Sequence, residues 1–230
     1  MNYTRPPQQP DPVGGRRPPQ DAPDPGASSP ATRQRLLDAG RRLFAEKGFD
    51  GTSVRALTEA AGVNLGAVTY HFESKERLYR SVLDQVLSPM RARAEALKGM
   101  RMPPLRKVEL FVRGMFQHLR ENPDVPRFMV QEVVLGERPS PPIMEAIQTV
   151  GLLLIDIIRE GQAGGAIRDG DPVLLALSTL SQPIYLSIMP PVIGRVELRR
   201  AGFPQPRVPP EDHAVEFVVR GLAVRKEKKE

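Results

Sequence analysis

The sequence predicts an all-α protein, in which a small N-terminal three-helix unit precedes a larger helical unit. Apolar residues recur at helical spacing through most of the 230-residue chain. Clusters of Pro and Gly, such as "GERPSPP" and "GFPQPRVPP", separate these blocks, and no run alternates as strands do. With 40% apolar residues, the chain is long enough for one small domain and one larger domain with a core.

The N-terminal segment 1–28 is predicted to be a disordered Pro-rich tail. It holds eight prolines and almost nothing large and apolar, so it buries too little surface to offset its ordering entropy. Its Arg and Asp residues balance one another, and we assign it no role. A charged tail is predicted at 225–230.

The first helix is predicted over residues 30–47. Ser29 suits the N-cap, and Pro30 fits the first helical position. Gly48 favours the left-handed conformation that ends a helix, and Phe49 is then placed to fold back as its hydrophobic partner.

The stretch "TSVRALTEAAGVNLGAVTYHF", residues 52–72, predicts two short helices joined by a tight turn. Thr52 or Ser53 caps the first, Gly62 permits the sharp turn, and Asn64 caps the second. Inward positions of the first short helix are Val54, Leu57, Ala60 and Ala61. This is helix-turn-helix spacing, in which the second helix is able to enter the major groove of DNA.

Helical patterns continue after Lys75, with Leu78, Val82 and Val86 on one stripe. Pro89 is expected to kink or end that helix. Further helices are predicted near 104–121, 124–136, 141–163, 171–193 and 210–224.

Composition excludes several classes of function. The chain has no Cys, which removes disulfides, zinc ribbons, iron-sulfur clusters and thiol nucleophiles. Its three His residues are scattered, with no metal-spaced pair, nucleophile elbow or phosphate-cradling loop, so no catalytic site, metal or cofactor is expected. The longest apolar run, "VGLLLIDII", contains Asp156 and is short for a membrane span, which favours a cytoplasmic protein. The net charge of +6 favours an acidic partner such as nucleic acid.

The outer face of the second short helix has the chemistry of a groove-reading surface. Small Gly66 and Ala67 permit close approach, and the hydroxyls of Thr69 and Tyr70 suit phosphates or base edges. Lys75 adds a cation beside the DNA backbone. The predicted DNA-binding set is Thr52, Ser53, Asn64, Leu65, Gly66, Ala67, Thr69, Tyr70, His71 and Lys75. An ordinary helical hairpin, with Tyr70 and His71 as packing residues, is the alternative.

Over about residues 31–80 the chain resembles the TetR family of bacterial regulators, through "LFAEKGFDGTSVRAL", "AGVNLGAVTYHF" and "SKERL". The resemblance implies that Ser53, Thr69, Tyr70, His71 and Lys75 contact phosphate or sugar. It also implies that 64–67 and Thr69 face base edges. The family most often has Tyr where this chain has Thr69, which leaves open whether Thr69 or Tyr70 contacts a base.

The same resemblance implies a homodimer and a small-molecule effector site in the later helices. The last two helices would form the dimer interface, through apolar residues that would suit an intrachain core equally. Candidates for this interface are Val173, Leu174, Leu177, Leu180, Ile184, Val215, Val218, Val219 and Leu222. Candidate ligand-binding residues are Met115, Phe116, Phe128, Met129, Glu132 and Tyr185. Core packing is the alternative for the methionines and aromatic residues, and a solvated carboxylate on a helix face is the alternative for Glu132.

These observations predict three parts: a helix-turn-helix DNA-binding domain at 29–75, a helical ligand-binding and dimerisation domain at 76–224, and the two tails. The predicted function is a sequence-specific transcriptional regulator, a repressor released from a palindromic operator by a small molecule. A DNA-binding regulator without an inducer is the first alternative, and a helical enzyme or scaffold is the second.

Overall fold

In a computed structural model of the protein, the described residues are 29–136, 139–195 and 207–224, and these form α-helices joined by short turns. The predicted tails at 1–28 and 225–230, and parts of "GERPSPP" and "GFPQPRVPP", lie outside the described residues. Ile167 and Ala223 form a single isolated β-bridge. In the described part, the helices are α1 (Pro30–Lys47), α2 (Val54–Ala61), α3 (Gly66–Phe72), α4 (Lys75–Gly99), α5 (Pro104–Glu121), α6 (Val125–Met129), α7 (Pro141–Ala163), α8 (Pro172–Arg195) and α9 (Pro210–Leu222).

The first helix confirms the predicted start and end. The Ser29 side chain accepts a hydrogen bond from the Thr32 amide at 3.2 Å, and Pro30 occupies the first helical position. Gly48 ends α1 at φ 74°, and Phe49 then folds back onto the rings of Phe44 and Tyr79, at centroid distances of 6.2 and 5.2 Å. This aromatic cluster closes the first helix onto α4.

Helix α4 runs through Pro89, so this proline does not end the helix, and the alternative that it kinks the helix stays a prediction. Proline removes one backbone donor, which leaves the carbonyl of Gln85 without its helical partner. Both Pro89 and Gln85 lie on the exposed side of α4, where the free carbonyl is accessible to solvent. The 25-residue helix therefore packs against α1 and α3 at one end and against α5, α6 and α7 at the other.

The larger unit is built around α7, which packs on α4, α5 and α8. Its inner face buries Ile143, Val150, Leu154 and Ile158. The helix predicted near 124–136 is divided, because α6 is followed by a π-helical turn at Val130–Val134. Since α4 belongs to both units, the domain boundary between residues 75 and 76 stays a prediction.

Two described helices are long and apolar enough to cross a membrane by length and composition alone: α7 and the Pro172–Met189 part of α8. The sequence prediction counted the uninterrupted apolar run and missed these longer windows. Core helices pass the same test, and α7 is a core helix here. Only 22% of the α8 window is buried, because Val173, Leu174 and Leu177 are exposed.

Candidate nucleic-acid interface and effector cavity

The turn between α2 and α3 fixes the angle at which the second short helix leaves the first. Gly62 lies in the left-handed region at φ 64°, and its amide donates to the carbonyls of Thr58 and Glu59. Leu57 and Ala61 of α2 and Val68 of α3 are buried in the shared core with α1. A Cβ at Gly62 would be strained by this φ angle, so the turn requires glycine.

One face of α3 and the turn before it is exposed. Leu65 and Tyr70 are 62% and 69% exposed, and the neighbouring Asn64, Gly66 and Thr69 are also exposed. A Cβ at Gly66 would meet only the Asn64 Oδ1 atom, at 3.7 Å, so the surface is open at this point. This face offers hydrogen-bonding groups, small residues and an aromatic ring without any carboxylate, which suits a DNA groove.

The side chains that flank this face are partly committed to the fold. The Ser53 hydroxyl is exposed and accepts a hydrogen bond from the Ala56 amide at 3.1 Å, as the cap of α2. The half-buried His71 ring lies edge-on to Tyr70, with a centroid distance of 5.0 Å. Both stand beside the exposed face, where a phosphate contact is sterically open to Ser53.

The structure corrects the placement of two predicted DNA-binding residues. Thr52 is 1% exposed, and its hydroxyl donates to the carbonyls of Leu43 and Gly48 at 3.2 and 2.8 Å. It is a buried link between the end of α1 and the start of α2. Ala67 is also 1% exposed, because it lies next to Val68 on the side of α3 that packs inward. Neither side chain reaches a DNA groove.

Two smaller expectations about the short helices are also wrong. Asn64 does not cap α3 with its side chain; its backbone carbonyl accepts from the Ala67 amide instead. In α2, Ala60 is exposed, and Thr58 takes the buried position, 3% exposed. Thr58 satisfies its hydroxyl by donating to the carbonyls of Val54 and Arg55 within the helix.

Lys75 has a structural role that the sequence did not show. Its ammonium donates to the carbonyls of Phe49 and Thr52 at 3.0 and 3.1 Å, and it lies 4.0 Å from the centroid of the Phe49 ring. These contacts fasten the start of α4 to the α1–α2 turn. An ammonium has three N–H donors, so these two bonds leave one for a phosphate oxygen.

We predict that Lys75→Ala weakens operator binding about tenfold across sequences and also lowers stability. Loss of the phosphate contact should reduce the magnitude of the slope of log affinity against log salt by about 0.9 per subunit. Loss of two charge-assisted bonds should lower the free energy of unfolding by about 1–2 kcal/mol at this half-buried site. Salt-dependent fluorescence anisotropy and urea unfolding measure the two effects. Arg101→Ala, on the exposed side of the α4–α5 turn, is the control. A full salt slope in Lys75→Ala would show that the residue only positions the fold.

A cavity of about 50 Å³ lies within the larger unit, where α4, α5, α6, α7 and α8 meet. Its lining is entirely apolar. Among the lining residues are Leu87, Met90, Met115, Val125, Met129 and Ile184. The volume is far below the several hundred Å³ of a drug-sized ligand site, so any larger effector must displace side chains. Methionine is suited to this because its flexible thioether chain repacks at low cost.

The six predicted ligand-binding residues do not form one site. Met115 and Met129 line the cavity, while Phe116 and Phe128 are buried in the surrounding core without lining it. Glu132 lies outside the cavity and binds Tyr79. Tyr185 is 61% exposed on α8, so its prediction as a cavity residue is wrong: the ring points away from the helix face that carries Leu180 and Ile184.

An ion pair joins helix α1 of the N-terminal unit to the segment that lines the cavity. The Arg41 guanidinium on α1 donates to both Asp124 carboxylate oxygens, at 2.5 and 2.6 Å, and to Asn122 Oδ1 at 3.0 Å. Asp124 immediately precedes Val125 and Pro126, which line the cavity. The hydrogen bond to Asp124, opposed by burial, raises the pKa of Arg41. The segment that lines the cavity is therefore linked to α1 by this ion pair.

A second contact joins the two units on the other side of α6. The buried Tyr79 hydroxyl donates to Glu132 Oε1 at 2.7 Å, and the Ser140 amide donates to Glu132 Oε2 at 2.7 Å. Burial, and then the bond to Glu132, raise the pKa of Tyr79 well above its ordinary value. Neither contact was predictable from local patterns, because the paired residues lie 83 and 53 positions apart.

Comparison with known proteins assigns the family. Residues 36–82 match the family described as "Bacterial regulatory proteins, tetR family", and residues 104–196 match the "Tetracyclin repressor-like, C-terminal domain". The HTH-type transcriptional repressor DhaR of Mycobacterium sp. is 30% identical over 147 residues, which cover 63% of this chain and 74% of that protein. The chain belongs to the TetR family.

Other relatives agree with this assignment. The HTH-type transcriptional repressor KstR2 of Mycolicibacterium smegmatis is 25% identical over 73% of this TetR-family chain and 82% of that protein. The structure of the TetR family transcriptional regulator PfmR from Thermus thermophilus has a TM-score of 0.59 at 24% identity, covering 81% of this chain and 98% of that one. Members of the TetR family are DNA-binding transcription regulators, so this chain is a regulator and not an enzyme.

We expect one buried histidine to make the stability of this TetR-family protein depend on pH. His118 is 0% exposed, its Nδ1 atom lies 3.3 Å from the Asn122 amide nitrogen, and Nε2 has no partner among the described residues. Burial lowers the pKa of His118, and the nearby Arg93 and Arg41 lower it further, against Glu121 and Asp124. The folded state therefore holds a neutral imidazole at neutral pH.

We predict that acid destabilises the protein through His118. Because the folded pKa lies below the unfolded value, its contribution is complete above about pH 6.5 and is lost as the pH falls below that value, by at most about 1.4 kcal/mol per pH unit. Urea unfolding at pH 7.5 and 5.5 measures the loss, and His118→Gln should show a smaller difference between the two. An equal difference in wild type and variant would rule out His118 as the cause.

Proposed function

We propose that this TetR-family regulator is a cytoplasmic repressor that binds a palindromic operator as a homodimer and is released by a small-molecule effector. The exposed face at the start of α3 supports the DNA-binding part, because it presents groove-sized groups next to a fixed helix-turn-helix angle. The relatives named as transcriptional repressors support the sign of regulation.

The contacts with DNA divide by position on this face. We assign base-edge contacts to Asn64, Leu65, Gly66 and Thr69, which lie at the exposed N-terminal end of α3. We assign phosphate or sugar contacts to four residues that flank it. These are Ser53, Tyr70, His71 and Lys75. The wide exposure of Tyr70 lets its hydroxyl reach the backbone while Thr69, the shorter side chain, reaches into the groove.

The proposed dimer interface lies on α8 and α9, which pack against each other. Val173, Leu174 and Leu177 are 45–63% exposed, as expected for side chains that a partner covers. Of the other candidates, Val215, Val218 and Leu222 are buried within their own chain, and Leu180 and Ile184 line the cavity. Phe217, which is 57% exposed on α9, is added to the interface.

The apolar cavity carries the proposal of effector control. Its α6 wall continues directly into Asp124, the residue that holds Arg41 of α1. An effector that enlarges the cavity moves this wall and thereby changes the distance between the α3 helices of the two subunits. It shifts the equilibrium only by its difference in affinity for the DNA-bound and released conformations.

A ligand screen tests effector control. Metabolites and drugs are ranked by thermal shift, and each hit is then tested against operator binding. We expect at least one stabilising compound to weaken operator affinity, and saturating operator to weaken binding of that compound by the same factor. Hits that stabilise the protein but leave operator affinity unchanged would favour a regulator without an inducer.

A further inference from the structure

A second concave surface lies on the outside of the larger unit, between the C-terminal half of α4 and α5. It is a groove of about 390 Å³, within the range of small-molecule sites. Its floor is apolar and includes Leu97, Met100, Leu110 and Phe111. The groove is large enough for a small molecule that the inner cavity is too small to hold.

The groove and the inner cavity share a wall. Met90 on α4 and Met115 on α5 line both spaces. Met115 is 5% exposed, and both residues have three rotatable bonds and no branch. Because methionine side chains repack at low cost, a ligand path between the groove and the cavity would run between these two residues.

One end of the groove carries an ion pair between Arg93 and Glu121. Arg93 is the charged residue among those that line it, and Gln117 lies beside it as the other long polar side chain. Glu121 accepts one hydrogen bond from Arg93 Nη2 at 2.9 Å, and the Arg93 side chain is 41% exposed. A guanidinium has five N–H donors, so the contact with Glu121 leaves donors for a second carboxylate.

The geometry points to an amphipathic anion, an alkyl chain ending in a carboxylate, as the ligand of this site. Its carboxylate pairs with Arg93 at the groove, and its apolar chain lies along the α4–α5 groove and passes between Met90 and Met115 into the cavity. The apolar lining of the cavity disfavours a hydrophilic molecule. The unused N–H donors of Arg93 favour a carboxylate, which accepts hydrogen bonds, over an ammonium group, which does not.

This inference deepens the proposed function, since it names the chemistry of the effector and the path by which it reaches the α6 wall. An alkyl chain in the cavity would contact Val125 and Met129, next to Asp124. Occupation of the site is thereby coupled to the ion pair with Arg41.

The test uses dodecanoate, with dodecan-1-ol and dodecyltrimethylammonium as neutral and cationic probes of equal chain length, each below its micelle concentration. Binding to the full chain is measured by isothermal titration calorimetry. Arg93→Gln should weaken dodecanoate binding about tenfold and change dodecan-1-ol binding less than about twofold. Arg101→Gln removes the same charge outside the groove and should leave both unchanged.

A second variant tests the groove without removing any native contact. Gly114 lines the groove, and a Cβ there meets no atom within 4 Å, so Gly114→Leu fills the groove and improves helix propensity in α5. It should weaken binding of dodecanoate and dodecan-1-ol alike, by about tenfold. Gly151→Leu in α7, where a Cβ also meets no atom within 4 Å, is the matched control and should bind both normally.

The outcomes separate this inference from the proposed function. Failure of dodecanoate to bind, equal losses of acid and alcohol in Arg93→Gln, or normal binding in Gly114→Leu would overturn the inference, as would tighter binding of the ammonium probe. If another compound then released the operator, effector control would still stand. If dodecanoate bound as expected but left operator affinity unchanged, the site would stand and effector-controlled release by this ligand would fail.

Discussion

Gly66→Glu should reduce operator affinity at least about 100-fold while leaving the fold intact. The substitution places a carboxylate at the start of α3, the helix proposed to enter the major groove. There it would face the phosphates and the acceptor edges of the bases. Among the described residues, an added Cβ at Gly66 lies near one atom, Asn64 Oδ1 at 3.7 Å, so a side chain begins in open space. Anisotropy with a labelled operator measures the loss, and circular dichroism verifies the fold.

A matched variant separates this effect from the change in net charge. Gly151→Glu adds the same side chain to α7, also into open space, but away from the proposed DNA-facing surface. Its operator affinity should fall only by the few-fold expected for one added negative charge. Similar affinities for Gly66→Glu and Gly151→Glu would mean that the exposed face of α3 does not contact DNA.

The ion pair between Arg41 and Asp124 should contribute about 1–2 kcal/mol of coupling energy to folding. It is bidentate, and its side chains are 31% and 16% exposed, so it is screened less than a surface pair but is not fully desolvated. A double-mutant cycle with Arg41→Ala, Asp124→Ala and the double variant measures the coupling from urea unfolding.

The chain provides a control for this cycle. Arg55 and Glu59 form an ion pair one turn apart on α2, with side chains 83% and 64% exposed, and the same cycle there should resolve no coupling. Because Asp124 adjoins the cavity wall, Asp124→Ala should also reduce the factor by which an effector weakens operator binding. Equal coupling at the two pairs would remove Arg41 and Asp124 from the account of signal transmission.

The helices were accessible from sequence because their signals are local. Ser29, Pro30 and Gly48 act within one turn of the residues they cap, and the predicted bounds of α1 were correct. The same holds for the Pro residues that begin α5 and α7. The sequence did not decide whether α4 continues through Pro89. A helix tolerates proline where the carbonyl that loses its partner is exposed, and that exposure is set by tertiary packing.

The candidate site was predicted less well, since contact and burial are set by packing between distant segments. Thr52 is polar and adjacent to a cap, yet it is buried because α1 supplies carbonyls for its hydroxyl. Lys75 carries a charge suited to DNA, and its bonds to Phe49 and Thr52 are visible only once the fold joins them. The pairing of Arg41 with Asp124 likewise depends on packing between distant segments and was not predicted.

Selection of bound DNA from a random duplex pool, followed by footprinting of the enriched sequence, tests the central claim most directly. Two copies of the chain should enrich an inverted repeat, with half-sites centred about 34–36 Å apart or somewhat more and protection that is symmetric about the centre. Gly66→Glu should enrich nothing from the same pool. Enrichment of one asymmetric site protected by a monomer, or no sequence preference beyond that of a cationic protein, would contradict a dimeric operator-binding regulator.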